Sequence, residues 1–426
     1  MPTHDIESRP TVAVVGSGVS GLTAAYLLQR RYDVTLYESD HRLGGHAHTH
    51  DLVDSDGRPQ SVDTGFIVHN RRTYPNLLRL FAELGVTTQE SEMSMSISCT
   101  ECGLEYAGAR GLGGLFARSA NLRNPRFLRM LVEVKKFHRQ AHEVLARPDD
   151  NRTLGRFLDD GGYSPFFVAH FAVPVVSCVW SCGNEVALEY PARYLFRFLD
   201  HHGMLAVTGS PAWRTVTGGS QAYVARAAKQ LTAVLTGTAV REIRRDTDGI
   251  EIRTADDDVR RHDRVVVATH PDQALQLLTD ATPDETRLLS AFAYSTATTL
   301  LHTDVSVLPR ASRAQASWNY RMSHCAGGTD EPVQVSYDMN RLQRLPSGTR
   351  YLVTLNSPGL VDEAAVIDRM TYQHPIYTPR SVAAQADLSI LTTSTTTFAG
   401  AYHGWGFHED GCASGVRAAA AFGVDW

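Results

Sequence analysis

Residues Thr11 to Glu38 constrain this chain more than any other stretch. Thr11–Val15 (TVAVV) is a continuous apolar, β-branched run, which reads as a strand buried on both faces of a parallel sheet. It runs into Gly16-Ser-Gly18-Val-Ser20-Gly21, after which Leu22 to Arg30 predicts a helix with apolar residues on one face. Asp33 to Tyr37 predicts a second strand that closes on Glu38. Each glycine meets its own steric demand. The first allows a tight turn, the second lets the backbone approach a pyrophosphate, and the third lets helix pack closely on strand. Phosphates then sit at the helix N-terminus. Glu38, twenty residues after Gly18, suits a ribose 2′-hydroxyl and disfavours a 2′-phosphate. Strand, glycines, helix, strand and acid in register define a βαβ dinucleotide-binding unit.

The rest of the chain bounds the setting. With 426 residues the chain folds around several cores. It is 43% hydrophobic and 20% charged, with a formal charge of −5, which gives no support to disorder or to nucleic-acid binding. The longest apolar-rich run, Phe166 to Trp180, is short of the ~20 residues a spanning helix needs. The opening MPTHDIESRP has no hydrophobic core and does not read as a secretory signal. A soluble cytoplasmic protein is expected. Six cysteines do not make a disulfide scaffold. Cys99-Thr-Glu-Cys102 has metal-ligand spacing, but no second Cys or His pair follows at zinc-finger distance. Cys178 and Cys182 sit in an apolar segment. These thiols are read as incidental, and no metal site is expected.

The residues after Glu38 narrow the ligand. Arg42-Leu-Gly44-Gly45-His46 supplies bare amides and a fixed positive charge near the phosphates. Asp63-Thr64-Gly65-Phe66 returns to a small-residue turn. Near the C-terminus, Thr397 to Gly400 reads as a strand ending in glycine. It leads through Tyr402 and GFHEDG to a small-residue helix from Gly411, whose N-terminus favours negative charge. Gly108 to Gly114 is also glycine-rich, but no apolar strand precedes it, so it reads as a flexible turn.

The N-terminal glycines, the R-x-G-G and the closing FAG with its helix resemble the flavin-containing amine oxidase and phytoene desaturase superfamily. The chain is closer still to bacterial NAD/FAD-binding proteins similar to the N-terminal region of plant cyclopropane fatty acid synthases. The residues carrying that likeness are GGHAHT (44–49), VDTGFIVHNRRTYPNL (62–77), MSMS (93–96) and LEYAG (104–108). Further on are WRTVTGGSQAYV (213–224), ATHPDQALQLL (268–278), SWNY (317–320), YDMNRLQ (337–343) and GFHEDG (406–411).

The resemblance implies an α/β chain: a Rossmann-type FAD-binding domain of the amine-oxidase fold with an inserted α+β substrate domain. Residues 1–70, 214–280 and 395–426 would form the first, and 71–213 and 281–394 the second. It further implies that Gly16, Gly18, Ser20, Gly21, Glu38, Arg42, Gly44, Gly45 and His46 hold the ADP half of FAD, with Val240 at the adenine. Thr64, Gly65, Phe66, Gly400, Gly411 and Cys412 would line the isoalloxazine ring. Trp180, Trp213 and Trp318 are read as packing residues.

Two substrate classes compete. Amine oxidases of the superfamily commonly use a lysine near the flavin. This chain has three, Lys135, Lys136 and Lys229, none where that lysine is expected. Tyr402 fits one wall of their aromatic cage, and Phe407 or His408 the other. From Arg118 to Arg139, seven cations and one acid alternate with apolar residues, which suits an anionic membrane surface; a solvated helix face packed on the core suits them as well. Phe166 to Val176 has the composition of an acyl tunnel or of buried core. The expectation is an FAD-dependent oxidoreductase acting on a fatty-acyl or lipid-like substrate, by dehydrogenation or double-bond isomerisation. The alternatives are amine oxidation, or a non-catalytic flavoprotein partner of an acyl-chain methylating or cyclopropanating enzyme. By resemblance, an S-adenosylmethionine-dependent enzyme of that kind is an expected partner. For acid–base work the sequence nominates His408, with Tyr402 and Glu409 beside it and His46, His69, Asn70 and Tyr74 as further candidates. Glu409 or Asp410 could instead cap the last helix.

Overall fold

The computed structural model describes residues 9–206, 209–325, 334–357 and 359–426; the first eight residues, on which the expectation of no secretory signal falls, lie outside that range. A five-stranded parallel sheet forms one body. Its order is Ala233–Leu235, Asp33–Tyr37, Thr11–Val15, Arg264–Val267 and Thr396–Phe398. Val12, Ala13 and Val14 are wholly buried, as a strand covered on both faces requires.

One face carries the helix Val19–Leu28 and the closing helix His408–Ala421, whose Cys412, Ala418 and Ala419 share a core with Leu22, Leu27 and Leu28. These two helices touch backbone to backbone. A Cβ on Gly415 would lie 2.4 Å from the Ser20 carbonyl oxygen, and one on Gly411 would lie 2.6 Å from Val19. The other face packs on the antiparallel strands Val240–Asp246, Gly249–Thr254 and Val259–His262.

A second body is built on a seven-stranded mixed sheet. Its order is Val366–Ile376, Ala293–His302, Leu352–Leu355, Gln334–Asp338, Trp318–Met322, Met95–Cys99 and Glu105–Tyr106. A helical lobe covers one end, with Phe127, Phe137, Phe157, Phe167 and Phe196 interlocking around its centre, several of them edge to face. The hairpin Thr49–Val53/Pro59–Asp63 and the small sheet of Val68–Asn70, Trp213–Val216 and Thr88–Glu90 join the two bodies.

The first helix falls within a few residues of the expectation, Val19–Leu28 where the sequence predicts Leu22 to Arg30, and a further helix, Gln221–Ala228, follows residues 217–220. Three helices sit on the other side of the expected segment boundaries. Pro75–Glu83 packs Leu77, Leu80 and Phe81 into the core of the dinucleotide-type sheet. Pro283–Leu289 and Pro379–Asp387 pack under its opposite face through Leu288, Leu289 and Ala384. Amphipathic helices carry no mark of which sheet they cover, so boundaries at 71, 281 and 394 cut through packed structure. The glycine-rich stretch 108–114 is also not a plain turn, since Gly108–Arg110 and Gly111–Leu115 form two short helical turns.

Candidate active site

A single cavity of about 1240 Å³ runs from the glycine turn at residues 16–18, between the two bodies, to the surface of the helical lobe. Drug-sized ligands occupy roughly 300–1,000 Å³. There is room for a dinucleotide and a second molecule.

The end nearest the parallel sheet is a cradle of bare backbone. Gly16 sits at φ +101°, where a Cβ would meet the Ala268 carbonyl oxygen at 2.8 Å. Gly18 lines the cavity, and a Cβ there would meet nothing within 4 Å of the protein, so it faces space a ligand can take. Glu38 lies on the wall with Thr238 and Val240. Its Oε2 accepts from Ser17 N (2.9 Å) and Ser17 Oγ (2.6 Å), and its Oε1 from Asp40 N (2.9 Å). Lone pairs remain on that carboxylate for ribose hydroxyls. Ser20 opens onto the cavity at the N-terminus of its helix.

Further in, Gly45, His46, Thr64, Gly65, Phe66, Gly400, Tyr402 and His408 all line the space. Here several buried polar atoms have no protein partner: His46 Nε2, His270 Nδ1, His374 Nδ1 and the Tyr402 hydroxyl. Burial leaves such atoms expensive unless a ligand or water satisfies them. A glycine cradle, a ribose-binding carboxylate and unpartnered polar atoms fit FAD.

Not every nominated residue reaches the cavity. Gly21 serves helix packing, since a Cβ there would fall 1.9 Å from the Gly16 carbonyl oxygen. Gly44, at φ +111°, shapes the loop and donates its N–H to Ser17. The Arg42 guanidinium braces the same loop, donating to the Gly45 carbonyl (2.8 Å) and pairing with Asp40 (3.2 Å). Gly411 and Cys412 are spent on the helix crossing, where the Thr23 hydroxyl reaches Cys412 Sγ at 3.5 Å. Glu409 is no acid–base group of this cavity. It caps the helix Pro75–Glu83, accepting from Asn76 N, Asn76 Nδ2 and Leu77 N at 2.7–3.0 Å. Asp410 accepts from Phe407 N at the start of its own helix. Asn70 closes a local turn through Arg72 N and Thr73 N, while Tyr74 does line the cavity.

His408 is present but engaged. Its ring stacks on Phe66 (3.7 Å between centroids, 10°), and Nε2 shares a 3.0 Å hydrogen bond with the Tyr223 hydroxyl. Burial, reinforced by His69, lowers its pKa to about 3, so the ring is neutral and fixed. Phe407 lies on Phe198 (4.7 Å, 19°), and both line the cavity. Trp180, Trp213 and Trp318 are cavity walls as well as packing residues.

Residues with no nominated role complete the site. His374, on the long strand Val366–Ile376, lies 5.5 Å from His46 between ring centroids. His270 stacks on Tyr294 at 4.1 Å. Tyr372 hydrogen-bonds Thr64 Oγ1 (2.8 Å) and His48 Nδ1 (2.9 Å). Burial lowers the pKa of His374 to about 4 and that of His46 well below the ordinary imidazole value, with His374, His270 and His408 adding to the latter. His270 stands inside the motif ATHPDQALQLL; His374 carries no local signal.

Residues 19–311 match the family of flavin containing amine oxidoreductases, and this chain belongs to that family. A flavin family with a dinucleotide cradle makes the cofactor FAD and the protein an FAD-dependent enzyme. Solved structures with the same fold include a CLA-producing fatty acid isomerase from P. acnes, with a TM-score of 0.69 at 16% identity, covering 98% of this chain and 99% of that one. A redesigned putrescine oxidase superposes with a TM-score of 0.70 at 15% identity, over 96% and 98% of the two chains. Cyclohexylamine oxidase from Brevibacterium oxydans gives 0.68 at 16%, over 97% and 98%. Among curated proteins, tryptophan 2-monooxygenase of Allorhizobium ampelinum is 52% identical over 44 residues, 10% of this chain and 6% of that protein. Protoporphyrinogen oxidase of Saccharomyces cerevisiae is 37% identical over 68 residues, 15% and 13%.

The geometry makes two outcomes testable. Because Gly18 faces only the cavity, Gly18→Val is expected to melt near the temperature of flavin-stripped wild type while flavin absorbance in the purified protein falls at least about tenfold, the loss of roughly 1.4 kcal/mol or more of binding. The second concerns acid. His69, His202, His302 and His374 have pKa values lowered from 6.5 to about 4, and His403 and His408 to about 3. Below 6.5 the unfolded chain binds protons these folded imidazoles refuse, so stability falls with pH. Burial raises Asp63 to about 6 and Asp410 to about 7, which acts in the opposite sense. The histidines outnumber the carboxylates, so the melting temperature is expected to drop between pH 7 and pH 5. A flat or rising profile would contradict this.

Proposed function

We propose that this enzyme acts on a fatty-acyl or similar lipid chain, removing hydrogen across a carbon–carbon bond or shifting a double bond. The observation that carries the reading is the lining of the cavity beyond the cofactor cradle. Met93, Phe116, Met130, Phe171, Val175 and Val179 wall it. Among the described lining residues the one carboxylate is Glu38, at the ribose end, and the one lysine or arginine is Lys135, near the surface. An ammonium substrate would find no counter-charge in such a corridor. An acyl chain gains about 0.8 kcal/mol for each methylene buried there, and its carboxylate or ester could remain by Lys135. The fatty acid isomerase is consistent with this choice; the two amine oxidases share the fold equally well, so the preference rests on the wall chemistry.

Bound FAD supplies hydride acceptance and return at its N5 position. The chain's own residues do the rest. The apolar walls hold the substrate extended and exclude water. Tyr402, Phe66 and Gly65 form the inner end, where the reacting carbons would come to rest. His374 Nδ1 and His46 Nε2, buried, neutral and without protein partners, are the groups we assign to hydrogen-bonding the cofactor or substrate at the reacting carbons. Net dehydrogenation needs a base for the second hydrogen, which leaves as a proton. Imidazoles that burial keeps neutral do not take it up, which favours hydride removal and return, that is isomerisation, over net dehydrogenation. His408 positions Phe66 and takes no proton.

The mouth supports the same reading. Leu112 and Val132 line the cavity yet are 74% and 68% exposed, and Leu122 and Leu128 stand exposed nearby. Arg123, Arg126 and Arg129 are exposed in the same stretch of chain as Leu122, Leu128 and Val132. Exposed apolar side chains interleaved with cations along the chain fit an anionic membrane leaflet, each cation contributing about 1 kcal/mol. Among the described residues, no helix is long and apolar enough to cross a membrane.

Two measurements check the proposal. Incubated anaerobically with unsaturated fatty acids, the holoenzyme is expected to change double-bond position or number, read by gas chromatography and mass spectrometry. Primary amines and polyamines are expected to leave the flavin oxidised; rapid bleaching by an amine with no change in any lipid would reverse the ranking. Flavin that neither substrate class reduces or turns over would favour the accessory role. In liposome sedimentation at low salt, the protein is expected to bind anionic vesicles several-fold better than neutral ones, and Arg123→Glu with Val132→Asp to abolish the difference. Equal binding to neutral vesicles would reject the electrostatic part.

A further inference from the structure

Cys99, Cys102, His170 and Cys325 meet at the rim of the helical lobe, with their donor atoms all within 4.8 Å of one another. Cys99 Sγ lies 3.7 Å from Cys325 Sγ, and Cys102 Sγ lies 3.7 Å from His170 Nε2. A disulfide would bring two sulfurs to about 2.05 Å. The observed spacing instead matches the edge of a tetrahedron around a metal at about 2.3 Å from each sulfur, which is about 3.8 Å.

The surroundings are arranged as a ligand set. Cys99 and Cys102 flank a tight turn completed by Gly103 at φ +68°, whose N–H donates to the Cys99 carbonyl at 3.0 Å. The Cys102 N–H donates to the Cys99 sulfur and the Leu104 N–H to the Cys102 sulfur. The same turn is tied to the chain leading to Cys325, through Thr100 N to Met322 O (2.9 Å) and Cys325 N to Glu101 Oε2 (2.7 Å). His170 is wholly buried, its ring stacked on Phe166 at 4.0 Å. Its Nδ1 faces the Phe166 carbonyl at 3.1 Å. A carbonyl only accepts, so the proton sits on Nδ1 and the Nε2 lone pair faces the sulfurs, the orientation that metal-bound histidines take. His170 lies in a π-helical turn, Val168–Ala172, a rare local form that often accompanies a functional demand.

We propose that these four side chains form a Cys3His site for Zn²⁺. Three thiolates and an imidazole close the tetrahedron and leave no open position, so the metal is structural rather than catalytic. It joins three parts of the substrate body: the turn after Met95–Cys99, the segment after Trp318–Met322, and the π turn that leads into Val173–Trp180. That last helix gives Val175, Cys178, Val179 and Trp180 to the cavity wall. The metal therefore pins one side of the corridor to the sheet, whatever substrate the corridor holds.

The test is metal analysis of untagged protein purified without chelator. About one equivalent of zinc per chain is expected, falling at least about tenfold in Cys102→Ser and in Cys325→Ser while flavin content is retained. Should these variants fail to fold, the wild type decides. Cobalt exchanged into it is expected to show thiolate-to-cobalt charge transfer with tetrahedral bands, and the exposed Cys102 is expected to resist Ellman's reagent until a chelator is added. Less than about a tenth of an equivalent of zinc after dialysis against Zn²⁺, retention of metal by both variants, a stoichiometric metal other than zinc, or immediate reaction of Cys102 would each overturn the proposal.

Discussion

The structure depends on how closely three stretches of backbone approach one another without side chains between them. The turn at Gly16, the helix Val19–Leu28 and the closing helix His408–Ala421 meet at distances a Cβ would violate at Gly21, Gly411 and Gly415. Glycine costs conformational entropy in a helix, so its use at both crossings marks a geometry the rest of the fold requires. That geometry aims the N-terminus of the first helix at the cavity. It also brings the end of the chain beside its beginning, which places Gly400, Tyr402 and His408 along the same channel as Gly18 and Glu38.

From that crossing outward the cavity changes character in three stages. The cradle offers amides and one carboxylate, the middle offers imidazoles and phenols, and the corridor offers aliphatic and aromatic walls. Dryness links the last two. The same burial that makes the corridor suit a hydrocarbon holds His46, His374 and His408 in their neutral forms. A charged imidazole in that place would need a counter-ion that the walls do not provide.

How much of this is legible in the sequence depends on the range of the interactions. The βαβ unit is legible because its glycines, strands and Glu38 answer one another within thirty residues. The apolar strands of the parallel sheet are legible for the same local reason. Glu409 misleads because its partners, Asn76 and Leu77, lie more than three hundred residues away. Trp180, Trp213 and Trp318 read as packing, since nothing in sequence tells a wall that faces a cavity from one that faces core. His374 stands in a strand with no motif around it. The thiols at Cys99 and Cys102 lack a second pair at regular spacing; their neighbours Cys325 and His170 come from distant parts of the chain, 226 residues after Cys99 and 68 after Cys102. A spacing rule tests only ligands that are neighbours in sequence.

The most direct measurement is crystallographic density for the flavin-loaded protein grown with an unsaturated fatty acid. The dinucleotide should lie from Glu38 and Gly18 to Tyr402. A continuous, unbranched acyl chain should run along Phe171, Val175 and Val179, with its unsaturation beside His374. A corridor closed by side chains, or an acyl chain bound elsewhere while the inner end holds a cation, would contradict the account.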